Sequence, residues 1–310
     1  MDITVCVCTR DRPGYLGDCL AGLLRQTVDP TQFDILVVDS ASNSTAREAI
    51  RYVVDSVAHA RLLRVDRPGV SLARNAGAAA ADGRYIAYID DDAIPAPDWI
   101  ERILAALDEN EPPPALIGGR ILPQWEAPMP GWWPPQLRGT LSIIEFEGSG
   151  EYRTEALPRG LEPYGANMIV HAEALRAVGG FGGRSGRVGN MLLSDEDVQL
   201  AWRLQAAGFT VRYDSRIVVR HQIQASRLTP RWLLARLYWQ GVSTVITRRL
   251  LGDARAVWRE LPRRLALTGF LAPLALVPTD SPAFVECRWR LAYAAGFVRA
   301  ALGPRLASCE

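Results

Sequence analysis

The chain has 310 residues, 48% apolar and 22% charged, with 26 Gly and 21 Pro, which excludes a disordered tail or a fibre and allows one large domain or a domain with an appendage. The formal charge of +1 conceals a division: residues 226–310 hold thirteen arginines against five acids, a surplus of +8 that leaves −7 on the first 225 residues and suggests two functional surfaces. There is no lysine, so mechanisms that need a catalytic or phosphate-binding lysine are excluded.

Ile3 to Cys8 is a short apolar run rich in β-branched residues and predicts a buried strand; with no basic leader before it, the expectation is a cytoplasmic protein, peripheral at the inner face of the membrane if the C-terminal extension meets lipid. Tyr15 to Gln26 follows as a helix, with Leu16, Cys19, Leu20, Leu23 and Leu24 at helical spacing. Phe33–Val38 reads as a second buried strand ended by Asp39, Ala46–Ser56 as a helix, and Ala60–Val65 as a third strand. Ser71–Ala81 is an Ala-rich helix, and Tyr85–Ile89 a fourth strand running into Asp90-Asp91-Asp92. This alternation argues for an α/β fold, a Rossmann-like, mainly parallel sheet flanked by helices.

Residues 111–165 are rich in proline, contain Trp132-Trp133, and predict an irregular antiparallel extension with short strands near 115–122 and 141–147. Gly179–Gly189 reads as a glycine-rich loop, and Ser194-Asp195-Glu196-Asp197 opens a helix that ends near Ala207 with Gly208 as its C-cap. Phe209–Tyr213 and Ile217–Arg220 predict two short strands before His221. From Thr229 onward the pattern is helical, giving a catalytic domain over 1–225 and a basic, helical C-terminal extension over 226–310. Cys6, Cys8, Cys19, Cys287 and Cys309 form an odd set without metal-ligand spacing and read as reduced structural thiols, Cys6 and Cys8 on one strand face.

In open α/β sheets ligands bind at the carboxyl ends of strands. Asp39 and the run Asp90-Asp91-Asp92 fall at such ends, and a third acidic cluster lies at 195–197. A lone carboxylate after a strand is equally a turn former, whereas three consecutive acids repel and call for a cation. Oxygen donors with a histidine nearby suit Mg2+ or Mn2+ better than zinc.

Five segments in order carry a resemblance: VCVCTRDRPGYLGDCLAGLLRQT, FDILVVDSASNST, PGVSLARNAGAAAADGRYIAYIDDDAIP, YGANMIVHAEALRAVGGF and SDEDVQLAWRLQAAGFTVRYDSRIVVRH. Together they resemble glycosyltransferase family 2, whose members have the GT-A fold, over about residues 1–225. The resemblance implies an inverting, metal-dependent transfer of a sugar from a nucleoside-diphosphate donor to a hydroxyl acceptor. It places Thr9, Arg12, Asp39, Arg74, Asn75, Asp90 and Asp91 at the nucleotide-sugar, and Asp92, Asp90 and His221 at a Mn2+ or Mg2+ ion. Asp197, beside Glu196, takes the place of the general base. Trp132, Trp133 and Asn167 are candidates for contact with a glycan, lipid-linked or small-molecule acceptor.

Two departures from the family pattern stand out. Ser40 follows Asp39 where the family often has Asp or Asn, and Gln224–Leu228 reads QASRL without the tryptophan of processive synthases, favouring a single transfer. LALTGFLAPLALVP (265–278) is too short to span a bilayer, whereas residues 231–251 join Trp, Leu and Arg in a way that suits a membrane interface; docking on the catalytic domain or homodimerisation are the alternatives. A sugar-1-phosphate nucleotidyltransferase would need a Gly-rich phosphate loop and lysines, and a Rossmann dehydrogenase a G-x-G-x-x-G that TRDRPG is not. A non-catalytic nucleotide-sugar or glycan binder remains the alternative from another class. The aliphatic content of the basic segment argues against a nucleic-acid role.

Overall fold

The computed structural model describes residues 2–158, 160–182, 191–275 and 282–303; most of the expected Gly179–Gly189 loop, residues 276–278 and Cys309 lie outside them. By contacts the chain divides into two compact units that interleave along the sequence. The first is Met1–Gln124, Ser142–Gly182 and Leu200–Gln222; the second is Trp125–Leu141, Gly183–Gln199 and Ile223–Glu310.

The first unit is built on the β-branched runs. β1 (Ile3–Thr9), β2 (Phe33–Ser40), β3 (Ala60–Val65) and β4 (Tyr85–Asp90) pair in parallel in the order β3-β2-β1-β4. β8 (Met168–His171) joins β4 antiparallel, and the sheet continues through β6 (Leu116–Trp125), β9 (Val211–Ile223) and β5 (Ala93–Pro95), with β7 (Ser149–Glu151) also on β9. The helices α1 (Pro13–Leu23), α2 (Ser44–Asp55), α3 (Val70–Ala80), α4 (Trp99–Asp108) and α5 (Ala172–Ala177) cover it. The fold is the expected mixed α/β one. The core is continuous from Ile3 through Trp99 to Val219, as expected when strands are buried on both faces. α3 lies close on β1 because Gly77 faces Cys6, where any Cβ would meet the thiol.

Some local expectations are revised. Residues 141–147 form no strand; they contribute an isolated bridge between Ile121 and Ile144. The two short strands expected over 209–220 are one strand, β9, thirteen residues long; β7 pairs with Arg212, Tyr213 and Asp214, Ser215 N donates to the Gly148 carbonyl, and β5 pairs with Val219, Arg220 and His221. α6 (Glu196–Ala206) ends with Gly208 at φ +86°, the left-handed conformation that favours glycine.

In the second unit α7 (Pro230–Leu250), α8 (Ala254–Ala275) and α9 (Pro282–Leu302) pack around Val242, Val245, Val257, Leu261 and Phe297. Thr229 caps α7 by accepting from Trp232 N. Gly241 and Gly296 let α7 and α9 meet backbone to backbone, since a Cβ on either would overlap a carbonyl of the other helix. Residues 231–251, read as a candidate membrane-interface helix, bury Leu233, Leu237, Val242 and Val245 inside this unit. Among the described residues no helix is long and apolar enough to cross a membrane.

Candidate active site

The register of the parallel strands brings the expected residues to one edge. Thr9 lies opposite Asp39, Cys8 opposite Asp90, and Asp39 opposite Arg64, so the carboxyl ends of β1, β2, β3 and β4 terminate at the same level. The loops after β1 and β2 are clasped together. Asp11, at φ +56°, accepts from Asn43 N at 2.8 Å and from its side-chain amide at 2.7 Å, and Asp11 N donates to the Ser42 hydroxyl.

Within this edge Asp91 is fully buried. Thr9 donates its hydroxyl to Asp91 at 2.7 Å, and the Arg12 guanidinium bridges Asp91 and Asp92, the latter at 2.8 Å. Burial is the main cause that lifts the Asp91 carboxyl to about 7; Arg12 and the Thr9 hydrogen bond oppose it, and Asp92 and Asp90 add to it. Burial alone would lower the Arg12 guanidinium, but Asp91, Asp92 and Asp90 outweigh it and hold its proton more firmly than usual. Arg12 thus fills the role of a local cation for a turn that would otherwise repel itself.

Asp92 and His221 are both buried, with His221 Nε2 at 3.3 Å from Asp92 Oδ1. β9 delivers the histidine, since His221 pairs with Ala93 on β5 and Gln222 N donates to the Asp92 carbonyl. Asp90 keeps about a third of its side chain open and accepts from Arg74 at 3.1 Å. Arg74 is itself buried, with its guanidinium 5.5 Å from the Phe181 ring centroid and Gly165 leaving it room. Asn75 uses its side-chain amide on the main chain of Phe181, donating to the carbonyl at 2.9 Å and accepting from the nitrogen at 2.8 Å.

Asp39 is buried and accepts from Ser42 N at 3.0 Å and from the Arg64 guanidinium. Arg64 was not singled out in the sequence; its only signal is its register position opposite Asp39. Ser40, the departure from the family pattern, accepts from Gly69 N at 3.1 Å and so fixes the turn into α3. Asn167 is not at an acceptor surface. It is completely buried, accepts from the Trp99 indole at 2.9 Å and donates to the carbonyls of Arg120 and Ile217, which uses both amide protons.

In the second unit Glu196 and Asp197 form the first turn of α6 and are buried to 7% and 8% exposure. Trp133 is buried between Trp132, 5.4 Å away, and Trp232, 6.4 Å away, so of the tryptophan pair only Trp132 keeps a partly open ring.

The donors around Asp92 suit a hard divalent ion in type. Among the described residues, however, no group of three or more His, Cys, Asp or Glu side chains is gathered to hold an ion alone. One or two carboxylates completed by substrate phosphates is how Mg2+ is ordinarily bound, so the residues fit an ion that arrives with a diphosphate.

A sequence profile of glycosyl transferase family 2 matches residues 4–133, and one of glycosyl transferase family group 2 matches residues 85–304. The chain is 29% identical over 248 residues to a glucosyl-dolichyl phosphate glucuronosyltransferase of Haloferax volcanii, covering 78% of this chain and 76% of that protein. It is 26% identical over 253 residues to a pre-mycofactocin glycosyltransferase of Mycobacterium tuberculosis, 80% of this chain but 48% of that one, so it spans about half of that relative. Among solved structures, the mannosyltransferase PcManGT from Pyrobaculum calidifontis in complex with GDP-Man and Mn2+ aligns with a TM-score of 0.62 at 17% identity over 95% of this chain and 86% of that one. TarS of S. aureus in complex with UDP aligns at 0.55 and 13% identity over 96% and 91% of the two chains. At such identities the likeness is one of fold.

Proposed function

The chain belongs to glycosyl transferase family 2, and from that premise we propose an inverting, metal-dependent transfer of a sugar from a nucleoside diphosphate to a hydroxyl acceptor. The observation that carries this reading is the strand-end cluster in which Thr9, Asp39 and Asp90 share a level and Asp92 meets His221. Asp39 and Arg64 would orient the nucleoside, and Arg12, freed from Asp91 and Asp92, would turn toward phosphate. Asp92 and His221, with Asp90, would hold Mg2+ or Mn2+, and the ion would supply positive charge to the departing diphosphate. In one displacement the bond from the anomeric carbon to the phosphate oxygen breaks with its electron pair, the bond to the acceptor oxygen forms, and the acceptor proton passes to Asp197.

A thermal-shift screen of UDP, GDP, dTDP and CDP, each with and without Mn2+, tests the site on wild type and Asp92→Asn. Binding to the native state raises the midpoint by mass action, so one nucleotide should stabilise the wild type with Mn2+ present and lose that effect in the variant. No shift with any nucleotide would sink the reading. Retention of configuration at the product's anomeric carbon, read by NMR, would sink the single displacement.

A lipid-linked acceptor is supported by the first relative's name and by α8. Its free face exposes Trp258 at 56%, Leu265 at 45% and Phe270 at 72%, beside the exposed Arg255, Arg259 and Arg263, while Glu260 is engaged by Arg248 and Arg264. Apolar rings flanked by arginines match an anionic bilayer surface. The protein should sediment with vesicles containing phosphatidylglycerol and not with phosphatidylcholine alone, and Phe270→Glu with Trp258→Glu should abolish this. Equal behaviour with both vesicles, or a concentration-dependent dimer lost in the double variant, would reassign the face.

A further inference from the structure

We infer that a polar stripe on α7, led by Gln240, is the device that sets the direction of the Glu196–Asp197 turn, and that Gln240 is a positioning residue for the transfer. The inference rests on Asp197 as the base. Gln240, Ser243, Thr244 and Thr247 lie at helical spacing on one face of α7. Ser243 and Thr247 are buried to 1% and 4% exposure, and buried hydroxyls are unfavourable unless hydrogen-bonded. Their partners are gathered in the six residues 194–199. Ser243 accepts from Ser194 N at 3.0 Å, Thr247 accepts from the Gln199 amide at 2.7 Å, and the Gln240 amide donates to both oxygens of Asp195, at 2.9 and 3.1 Å. The Ser194 hydroxyl lies within hydrogen-bond reach of both the Asp195 carboxylate and the side-chain amide oxygen of Gln240.

The grip coincides with backbone strain. Asp195 has φ +76°, a left-handed conformation that costs energy for a residue with a Cβ and that aspartate tolerates better than most, and it immediately precedes Glu196 and Asp197. Asp195 also accepts the first backbone bond of α6, from Gln199 N at 2.8 Å. Relaxation of that one residue to negative φ would redirect the entry into α6 and with it the Asp197 carboxylate. The stripe is braced from behind. Thr244 donates to the Gln240 carbonyl and accepts from the Tyr293 hydroxyl of α9 at 3.0 Å, and Arg264 of α8 stacks 4.8 Å from the Tyr293 ring centroid.

The test uses Gln240→Met, which keeps the side chain's shape and removes its hydrogen bonds. Amide exchange over 194–199 should rise while α7, α8 and α9 stay protected, and kcat should fall about tenfold or more with the affinity for the stabilising nucleotide of the screen, UDP or GDP for example, unchanged. Adding Asp195→Gly, which tolerates positive φ without help, should recover part of that kcat. Unchanged exchange over 194–199 overturns the inference, as does a kcat within about twofold of wild type or a parallel loss of nucleotide affinity. Asp197→Asn separates the two readings. If it stays active while Gln240→Met still loosens the turn and lowers kcat, the base is misassigned and the stripe's positioning role stands.

Discussion

The two acidic turns of this molecule are held by opposite means. Asp91 and Asp92, at the end of β4, are held by charge, with one guanidinium across both carboxylates and a hydroxyl beneath. Asp195, ahead of α6, is held by neutral groups, the Gln240 amide from a helix distant in sequence and the hydroxyl of the adjacent Ser194. The first arrangement suits a place where an incoming cation has to compete with an internal one. The second suits, on the proposed mechanism, a carboxylate that keeps its orientation while Asp197 takes the acceptor proton, because neutral donors do not change with the charge they hold.

Removing the charge should have the largest effect. Arg12→Met leaves two buried carboxylates facing each other, and breaking a buried pair is strongly destabilising; since 34% of Arg12 is exposed, about 3 kcal/mol is expected, the low end for such a pair. Chemical denaturation reads this, and Asp91→Asn in the same chain should return much of it. Mn2+ should then raise the thermal midpoint of Arg12→Met more than that of wild type, because the competing cation is gone. An equal Mn2+ effect in both would mean that Arg12 does not occupy the ion's place.

How far the sequence revealed each turn follows from how each is built. The strands β1 to β4 announce themselves as runs of apolar residues, and the acids at the ends of β2 and β4 mark Asp39, Asp90 and Asp92 as candidates, to which the family resemblance adds the roles. The buried partnership of Asp91 with Thr9 was not legible, since it joins residues 82 positions apart. α4 was as open to a sequence reading as the strands, since Trp99, Ile100, Ile103, Ala106 and Leu107 have helical spacing. Of the polar residues of α7, Ser243 and Thr247 are buried, and it is their bonds to residues 194–199 that account for this. Asn167 was legible as a polar residue within a motif, but its three partners come from segments far apart in sequence.

Asn167 supplies the next largest effect and a control. Asn167→Ala strands the Trp99 indole and two carbonyls inside the core, for about 2–3 kcal/mol measured by denaturation, and should leave the acceptor KM of the surviving enzyme unchanged. A raised acceptor KM at wild-type stability would restore it to the acceptor site. Gly241→Ala strikes the neutral turn indirectly: its Cβ would overlap the Tyr293 carbonyl, so α7 has to shift. A loss of about 2 kcal/mol is expected from overpacking, with exchange over 194–199 rising although no hydrogen-bonding side chain has been removed. Were the helices to loosen without any change at 194–199, the turn would be shown to hold itself.

The smallest change is the most discriminating. Ser243→Ala removes the acceptor of Ser194 N and nothing else from the turn, a loss of about 1 kcal/mol for one neutral hydrogen bond. Because no charge is involved, the difference from wild type should be the same at low and high ionic strength. Exchange should rise at residue 194 and remain low at 199, where Gln199 N still donates to the Asp195 carbonyl. If exchange instead rises evenly across the turn, the stripe acts as one cooperative unit, and the opposition between a charge-held and a neutrally held turn becomes one between a rigid contact and a network that opens as a whole.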